Sequence, residues 1–247
     1  MQPLVRLRNV DKVYSNGVVA LRGFDLDVRS EEFVCLLGPS GCGKSTVLRL
    51  VAGLGDFTQG AVEWPGARRD VGFVLQEPTL MPWAKVFDNV YLPFLLKDRS
   101  RAEAAQRVEE VIDLVGLSGF AGAYPRELSG GMKMRVSIAR ALAPAPKLLL
   151  MDEPFAALDE ITRTRLSNDL LHIWQRAKCT VMFVTHSIYE SVYMAQRIAV
   201  MAARPGRVLG EVRIDAPYPR DQEFRLTPEY AAYCREVSKL LDQAIGA

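Results

Sequence analysis

The feature that most constrains this sequence is a glycine-rich segment between a strand pattern and a helix pattern. Residues 33–37 are apolar throughout, as a strand buried on both faces requires, and residues 46–52 have a helical pattern. Between them the sequence reads Gly38-Pro39-Ser40-Gly41-Cys42-Gly43-Lys44-Ser45, which fits G-x-x-x-x-G-K-[ST]. Glycines let backbone N–H groups turn toward an anion, and a helix N-terminus adds free donors. The segment, with Thr46, therefore predicts a polyphosphate-binding loop on an α/β scaffold.

Four side chains in and near this loop have predicted chemical roles. Lys44 would place a positive charge at the β- and γ-phosphates, and the Ser45 hydroxyl would be a ligand of Mg²⁺. A second apolar run, residues 148–151, ends in Asp152-Glu153. We expect Asp152 to complete the Mg²⁺ site, and Glu153 to polarise the water that attacks the γ-phosphate. Such acidic endings are common, so this prediction depends on the pairing with the phosphate loop.

Short apolar runs alternate with longer helical patterns along the chain. This alternation is typical of a parallel sheet with crossover helices. The runs 33–37, 147–151 and 180–184 are each followed by polar or glycine residues. In open α/β sheets, ligands bind at the edge where the strands end, so these residues are the candidates for the site.

The N-terminal region has a different pattern. Residues 4–13 and 18–28 alternate apolar and polar side chains on either side of a turn at residues 15–17. This predicts antiparallel strands with one face in water. We expect residues 61–64 and 70–75 to extend the same antiparallel region.

The remaining patterns are helical. Residues 82–146 carry apolar side chains at helical spacing, which predicts a helical insert between two parts of one parallel-sheet core. Residues 227–247 predict a terminal helix. Its stripe of Tyr230, Tyr233, Val237, Leu240 and Leu241 indicates either core packing or an interaction element.

Composition excludes several other classes of protein. Lys and Arg number 31 and Asp and Glu number 29, for a net charge of +2, which argues against a non-specific nucleic-acid binder. The chain has no apolar run of the roughly 18 residues that a membrane span needs. Its four cysteines form no C-x-x-C pair, and it has only two histidines, so a structural zinc site is not expected.

A further motif connects these features to a known family. Leu128-Ser129-Gly130-Gly131-Met132 resembles the signature of the ATP-binding cassette family, the ATPase subunits of ABC transporters. The resemblance covers nearly the whole chain. It implies additional contacts with ATP or its metal at Tyr14, which would stack on adenine, Gln76, which would sense Mg²⁺, Asp159, in the segment called the D-loop, and His186, which would contact the γ-phosphate.

Each of these positions also has a plainer interpretation when taken singly. Tyr14 could be a packed strand aromatic, Gln76 a solvated polar residue and His186 a core histidine. Their occurrence in the order of the family favours the functional interpretation. Glu153, His186 and Lys44 would then be the catalytic residues.

The resemblance also implies an architecture. It is that of an α/β protein, a single domain over residues 1–247, with a P-loop NTPase core of mainly parallel sheet. Residues 1–80 and 147–247 would form this core together with an N-terminal antiparallel β subdomain. Residues 82–146 would form an inserted α-helical subdomain that carries the signature. In the family, Ser129 to Gly131 contact the ATP held by a second copy, so two copies sandwich two ATP molecules.

Two positions depart from the family pattern. Met132 stands where the family usually has glutamine, and Ser187 stands where aspartate often follows the histidine. Neither position belongs to the predicted phosphate chemistry, so we expect an active enzyme.

Several short segments resemble the branch of importers for nitrate, sulfonates and taurine. They are residues 81–83, 86–90, 154–159 and 204–207. This implies a subunit at the cytoplasmic face of a bacterial inner membrane, which contacts a separate permease near Gln76 to Trp83 and, indirectly, a solute-binding protein. Trp83 would either anchor the permease or pack on its own lobe. An exporter, a lipid-trafficking ATPase and a non-transport ATPase are the alternatives, and the solute stays open.

Overall fold

The computed structural model describes residues 3–66 and 69–246. The strands are β1 (Pro3–Val13), β2 (Val19–Arg29), β3 (Phe33–Leu37), β4 (Gln59–Glu63), β5 (Val71–Val74), β6 (Leu148–Asp152), β7 (Thr180–Thr185), β8 (Arg197–Ala202) and β9 (Arg207–Arg213). The α-helices are α1 (Lys44–Ala52), α2 (Val86–Leu95), α3 (Arg101–Leu114), α4 (Gly130–Leu142), α5 (Glu160–Ala177), α6 (Ile188–Met194) and α7 (Pro228–Gly246).

The chain forms two compact units. The core unit contains the described residues of Met1–Arg69, Leu150–Glu153 and Thr180–Ala247. The helical unit contains Asp70–Leu149 and Pro154–Cys179.

A small antiparallel sheet begins the core unit. Its strand order is β2-β1-β4, and β1 pairs antiparallel with both neighbours. Along β1 the buried side chains Val5 and Leu7 are separated by the partly exposed Arg6, so one face of the strand lies in the core. The turn into β2 is closed by the Tyr14 N–H, which donates to the Val18 carbonyl at 2.9 Å. The predicted antiparallel region is confirmed for these three strands.

The larger sheet has six strands in the order β5-β6-β7-β3-β8-β9. Strand β3 pairs in parallel with β7 and with β8, and β8 pairs antiparallel with β9. Both β3 and β7 are buried at every position, as the prediction of a mainly parallel sheet required.

One strand assignment from the sequence was wrong. Residues 70–75 were expected in the antiparallel region, but β5 lies at the end of the six-stranded sheet, beside β6. The Leu148 N–H donates to the Asp70 carbonyl at 3.2 Å, which fixes the start of β6 against this segment. A Cβ at Gly72 would lie 2.5 Å from the Ala141 carbonyl oxygen. The glycine is therefore needed where the strand meets α4. Because glycine has no side chain, the sequence pattern gave no sign that this position of β5 is buried.

Three of the helices in the helical unit belong to the predicted helical insert. Helices α2, α3 and α4 lie within the stretch where helices were predicted. Helix α3 begins at a capping box, in which Ser100 and Glu103 each bond the other's backbone N–H. Its side chains Val108, Val111 and Ile112 are buried.

The terminal helix of the core unit was also predicted. Helix α7 buries Tyr230 and Val237 of the predicted stripe, so the structure supports the core-packing interpretation for these two residues. The other three members, Tyr233, Leu240 and Leu241, are half-buried. None of the helices in the described ranges, 3–66 and 69–246, combines the length and apolar character of a membrane span.

A buried arginine ties together the segments that surround α7. The guanidinium of Arg220 donates to the carbonyls of Val192, Tyr193, Ala195, Ile214 and Ala216, at distances of 2.9–3.3 Å. Its side chain is also stacked over the ring of Tyr218, at 4.2 Å from the centroid. Burial lowers the pKa of Arg220 from its ordinary value. The hydrogen bonds from the guanidinium to these carbonyls stabilise the loops after α6 and β9.

Candidate functional site

The glycine-rich loop connects β3 to α1 in the core unit. Gly41 and Gly43 adopt positive φ angles of 78° and 97°, which favour glycine. Gly43 is the N-cap of α1 and supplies no side-chain acceptor to the N–H groups of the first helical turn. These donors are therefore available to an anion, as the sequence predicted.

The loop is supported from behind by β2 and by the hairpin between β8 and β9. The Gly206 N–H donates to the Ala20 carbonyl at 3.0 Å, and the Arg22 N–H donates to the Gly206 carbonyl at 3.1 Å. A Cβ at Gly206 would lie 2.1 Å from the Cys42 carbonyl oxygen. Gly206 lies in one of the segments that resemble the importer branch, and no local sequence signal indicated this supporting role.

Lys44 is almost completely buried within the loop, with 5% of its side chain exposed. Its Nζ donates to the carbonyls of Gly38 at 2.8 Å and Pro39 at 3.1 Å. The same atom lies 3.7 Å from a carboxylate oxygen of Glu153. The ammonium group therefore points into the concave side of the loop and has both dipoles and a negative charge around it.

Asp152 reaches the loop from the end of β6. The Ser45 hydroxyl donates to its Oδ1 at 2.8 Å. Burial raises the pKa of Asp152, while the hydrogen bond from Ser45 partly opposes that shift. The two oxygen ligands predicted for Mg²⁺ are thus adjacent.

Glu153 follows Asp152, and its side chain contacts the imidazole of His186. Its backbone has a φ of 46°, and its N–H donates to the Val184 carbonyl at 3.0 Å. One carboxylate oxygen lies 2.9 Å from Nδ1 of His186, which follows β7. The ends of β3, β6 and β7 therefore bring together Lys44, Ser45, Asp152, Glu153 and His186, which the sequence had placed in one site.

Ser187, one of the departures from the family pattern, has a clear structural role. It is the N-cap of α6, and its side-chain oxygen accepts from the Glu190 N–H at 3.3 Å. Serine and aspartate are both strong N-cap residues, so the substitution preserves the helix start.

Tyr14 lies in the exposed turn after β1. Its hydroxyl is 3.1 Å from Oγ1 of Thr46, in the first turn of α1. The Nζ of Lys12 lies 5.0 Å from the centre of the ring. The aromatic side chain is therefore attached to the helix that follows the phosphate loop, and it is not the packed strand aromatic that was the alternative.

The other predicted residues lie in the helical unit. Gln76 is exposed two residues after β5. Ser129 is the N-cap of α4, and Asp159 is the N-cap of α5, where it accepts from the Thr162 N–H at 3.0 Å. A Cβ at Gly131 would lie 3.0 Å from Cγ2 of Thr162, so the signature segment and the start of α5 are in close contact.

Comparison with known proteins gives a consistent result. A family model described as "ABC transporter" matches residues 21–156. The nitrate import ATP-binding protein NrtD of Synechocystis is 44% identical over 91% of this chain and 89% of its own length. The aliphatic sulfonates import ATP-binding protein SsuB of Bacillus subtilis is 44% identical over 88% of this chain and 85% of its own length.

A solved structure has the same fold. It is a dimeric structure of a post-hydrolysis state of the ATP-binding cassette MJ0796, bound to ADP and Pi. It covers 86% of this chain and all of its own, with a TM-score of 0.74 and 33% identity. The sequence match, the fold and the residues around the glycine-rich loop agree, and the chain belongs to the ATP-binding proteins of the ABC transporter family.

Proposed function

We propose that this ATPase powers the uptake of a small solute, of the nitrate, sulfonate or taurine type, through a separate membrane permease. The observation that carries the hydrolytic part is the cluster of Lys44, Ser45, Asp152, Glu153 and His186 at the strand ends. The solute class is supported by relatives that are named for nitrate and aliphatic sulfonate import.

Lys44 and the loop N–H groups bind the phosphates. On ATP binding, the Nζ bonds to Gly38 and Pro39 exchange for bonds to the β- and γ-phosphate oxygens. The N–H groups at the start of α1 add donors that need no side chain. Tyr14, which is held by Thr46, offers its ring to the adenine.

Ser45 and Asp152 suit a Mg²⁺ ion, because both offer oxygen ligands and already lie in contact. When bound, the ion would neutralise charge on the β- and γ-phosphates. Gln76 is proposed as a further contact to this ion.

Glu153 orients and polarises the attacking water. The water oxygen forms a bond to the γ-phosphorus while the bond to the bridging oxygen breaks, and ADP leaves with that electron pair. The water proton passes to Glu153 and from there to the solvent or the released phosphate. His186, hydrogen-bonded to the Glu153 carboxylate, stabilises the orientation of that group and contacts the γ-phosphate.

A second copy of the chain completes the site. The N-terminus of α4, at Ser129 to Gly131, has a polar cap and free N–H donors that suit the γ-phosphate bound by a partner copy. Asp159, which caps α5 beside this segment, joins the same interface. The dimeric state of the MJ0796 cassette supports this arrangement.

The permease contact is proposed for the segment from Gln76 to Trp83. Trp83 has 76% of its surface exposed, so it is free to anchor a partner. The loop that presents it is rigid, because the buried Asn89 accepts from the Met81 N–H at 2.8 Å and donates to the carbonyls of Met81, Ala84 and Lys85. The protein would therefore sit at the cytoplasmic face of a bacterial inner membrane. A solute-binding protein would act through the permease, with no contact to this chain.

The hydrolytic proposal is tested with Glu153→Gln and Lys44→Ala. Glu153→Gln is expected to keep ATP affinity and to abolish turnover, trapping an ATP-bound dimer that size-exclusion chromatography detects. Lys44→Ala is expected to weaken ATP binding itself. Normal hydrolysis by Glu153→Gln would show that the assigned water-activating role is wrong.

The transport proposal is tested in proteoliposomes that contain a candidate permease, its solute-binding protein and this chain. ATP-dependent uptake of nitrate, an alkanesulfonate or taurine is expected. Trp83→Ala should abolish permease stimulation of the ATPase, whereas Leu226→Ala, at another highly exposed apolar position, should not. Solute movement in the opposite direction would favour the exporter alternative and contradict uptake.

A further inference from the structure

The turn that carries His186 is closed by a ring of hydrogen bonds from its neighbours. The Thr185 hydroxyl donates to the Glu190 carboxylate. The Ser187 N–H donates to the Thr185 hydroxyl oxygen at 3.0 Å, and the Glu190 N–H donates to the Ser187 side-chain oxygen at 3.3 Å. In the sequence, His186 lies between Thr185 and Ser187, which are both members of this ring. The end of β7 and the start of α6 are thereby locked to each other.

The ring is a modified capping box. In the usual form, the glutamate at the third helical position accepts from the backbone N–H of the N-cap residue. Here the N-cap residue is Ser187, and the Thr185 hydroxyl stands between its N–H and the Glu190 carboxylate. A simple helix cap would not need this inserted hydroxyl. Its effect is to fix the backbone on both sides of His186.

Burial shows how firmly this arrangement is built. Thr185 is 3% exposed and Glu190 is 8% exposed. A buried carboxylate is unfavourable unless its hydrogen bonds are made. A movement of the turn that broke the bond from Thr185 to Glu190 would therefore be costly. The charge of Glu190, after burial itself, contributes to raising the pKa of the Cys35 thiol on the adjacent strand.

The His186 side chain, in contrast, is 54% exposed. Packing therefore restricts it little, and its direction toward Glu153 must come largely from its backbone. We propose that Thr185 and Glu190 are positioning residues, which hold the His186 imidazole within hydrogen-bond distance of the Glu153 carboxylate. This inference rests on the role proposed above for His186.

The test uses Thr185→Val, which has nearly the same shape without the hydroxyl, and Thr185→Ser, which restores it. A displacement of about 1 Å at a reacting group lowers rates by up to about 100-fold. We expect Thr185→Val to lower kcat about 10-fold or more, with ATP affinity changed less than about 2-fold, and Thr185→Ser to recover most of the activity. Thermal unfolding is recorded for each variant, so that loss of fold is seen separately.

A spectroscopic measurement separates positioning from general stability. The chain has only two histidines, and His172 is exposed on α5, so the ring signals of ¹⁵N-labelled histidine are readily assigned with His172→Gln. Glu153→Gln defines the change in the His186 signals when its partner loses its charge. Thr185→Val is expected to move the His186 signals while leaving those of His172 in place, and Thr185→Ser to leave both unchanged.

The outcomes are distinct. A fall in kcat with unmoved His186 signals would overturn the positioning proposal. If His186→Ala is impaired, a Thr185→Val enzyme with normal kcat would overturn it as well. If Thr185→Val does not fold, Glu190→Met replaces it, because it removes the acceptor of the Thr185 hydroxyl and leaves no buried charge. The same two readouts then decide. Full activity of His186→Ala together with shifted signals in Thr185→Val would contradict the proposed role of His186 but support the positioning contacts.

Discussion

The support behind the phosphate loop makes Gly206→Ala the most informative single substitution. The added methyl group would lie 2.1 Å from the Cys42 carbonyl oxygen and 2.8 Å from the Ala20 carbonyl oxygen. Ordinary contacts between these atoms begin above 3 Å, so a displacement of about 1 Å is required, and both obstacles are backbone. The Cys42 carbonyl belongs to the same peptide plane as the Gly43 N–H. Its displacement would therefore turn a phosphate donor away from the ligand.

The magnitude follows from the interaction that is lost. A hydrogen bond to a charged group contributes about 1.5–3 kcal/mol, which corresponds to roughly 10- to 100-fold in affinity. Overpacking is expected to lower the free energy of unfolding by about 1–3 kcal/mol in addition. ATP affinity is measured by isothermal titration calorimetry, and stability by thermal unfolding.

Gly210→Ala is the matched control, at a glycine of β9, the strand that follows Gly206. Its added methyl group would meet only the flexible end of the Leu240 side chain, at 3.1 Å. We expect the control to bind ATP like the original chain. Unchanged ATP affinity in a folded Gly206→Ala protein would refute the argument that this hairpin sets the geometry of the loop.

Three other predictions follow from groups described above. Burial raises the folded-state pKa of Asp152, so the ionised carboxylate lowers the stability of the folded protein as pH rises through that pKa. Asp152→Asn should therefore raise the thermal midpoint at pH 7 and change it little near pH 3. The same substitution is expected to abolish ATP turnover. An equal gain at both pH values would contradict this sign. Arg220→Met should lower the free energy of unfolding by about 5 kcal/mol or more, because five carbonyls lose their donor and each such loss costs about 1–3 kcal/mol. Arg213→Met, at an exposed position of β9, should change it little in the same denaturant titration. Tyr14→Phe removes only the bond to Thr46, so ATP affinity should fall about 5-fold, and a larger fall with Tyr14→Ala would measure the contribution of the ring.

The parallel core could be predicted because β3 is apolar at every position and β7 is apolar between its two terminal threonines. The pair β8 and β9 was missed. Strand β8 begins with Arg197, a charge that normally indicates a surface position, yet here it is buried and bonded to Glu32 and Glu211. Such partners come from distant parts of the chain, so a local pattern cannot reveal them.

In the candidate site, too, some residues could be identified from the sequence and others could not. Lys44, Asp152 and their neighbours could be identified because the chemistry of phosphates demands those residue types at short spacings. The supports could not, since the contact between Gly206 and Cys42 depends on distances across the fold. The Ser187-x-x-Glu190 spacing was a visible capping signal, but the inserted Thr185 hydroxyl was not.

Lys44 has a consequence for selectivity. The Lys44 ammonium group is bonded to two carbonyls of its own loop. The phosphates of a nucleotide would therefore compete with these carbonyls for the same donor. We expect a nucleoside diphosphate or triphosphate to supply oxygens that replace both carbonyls, whereas the single phosphate of AMP, anchored through its adenine at Tyr14, would not extend to the Lys44 Nζ. Discrimination against AMP then arises from an exchange that the shorter ligand cannot complete, and it requires no steric exclusion.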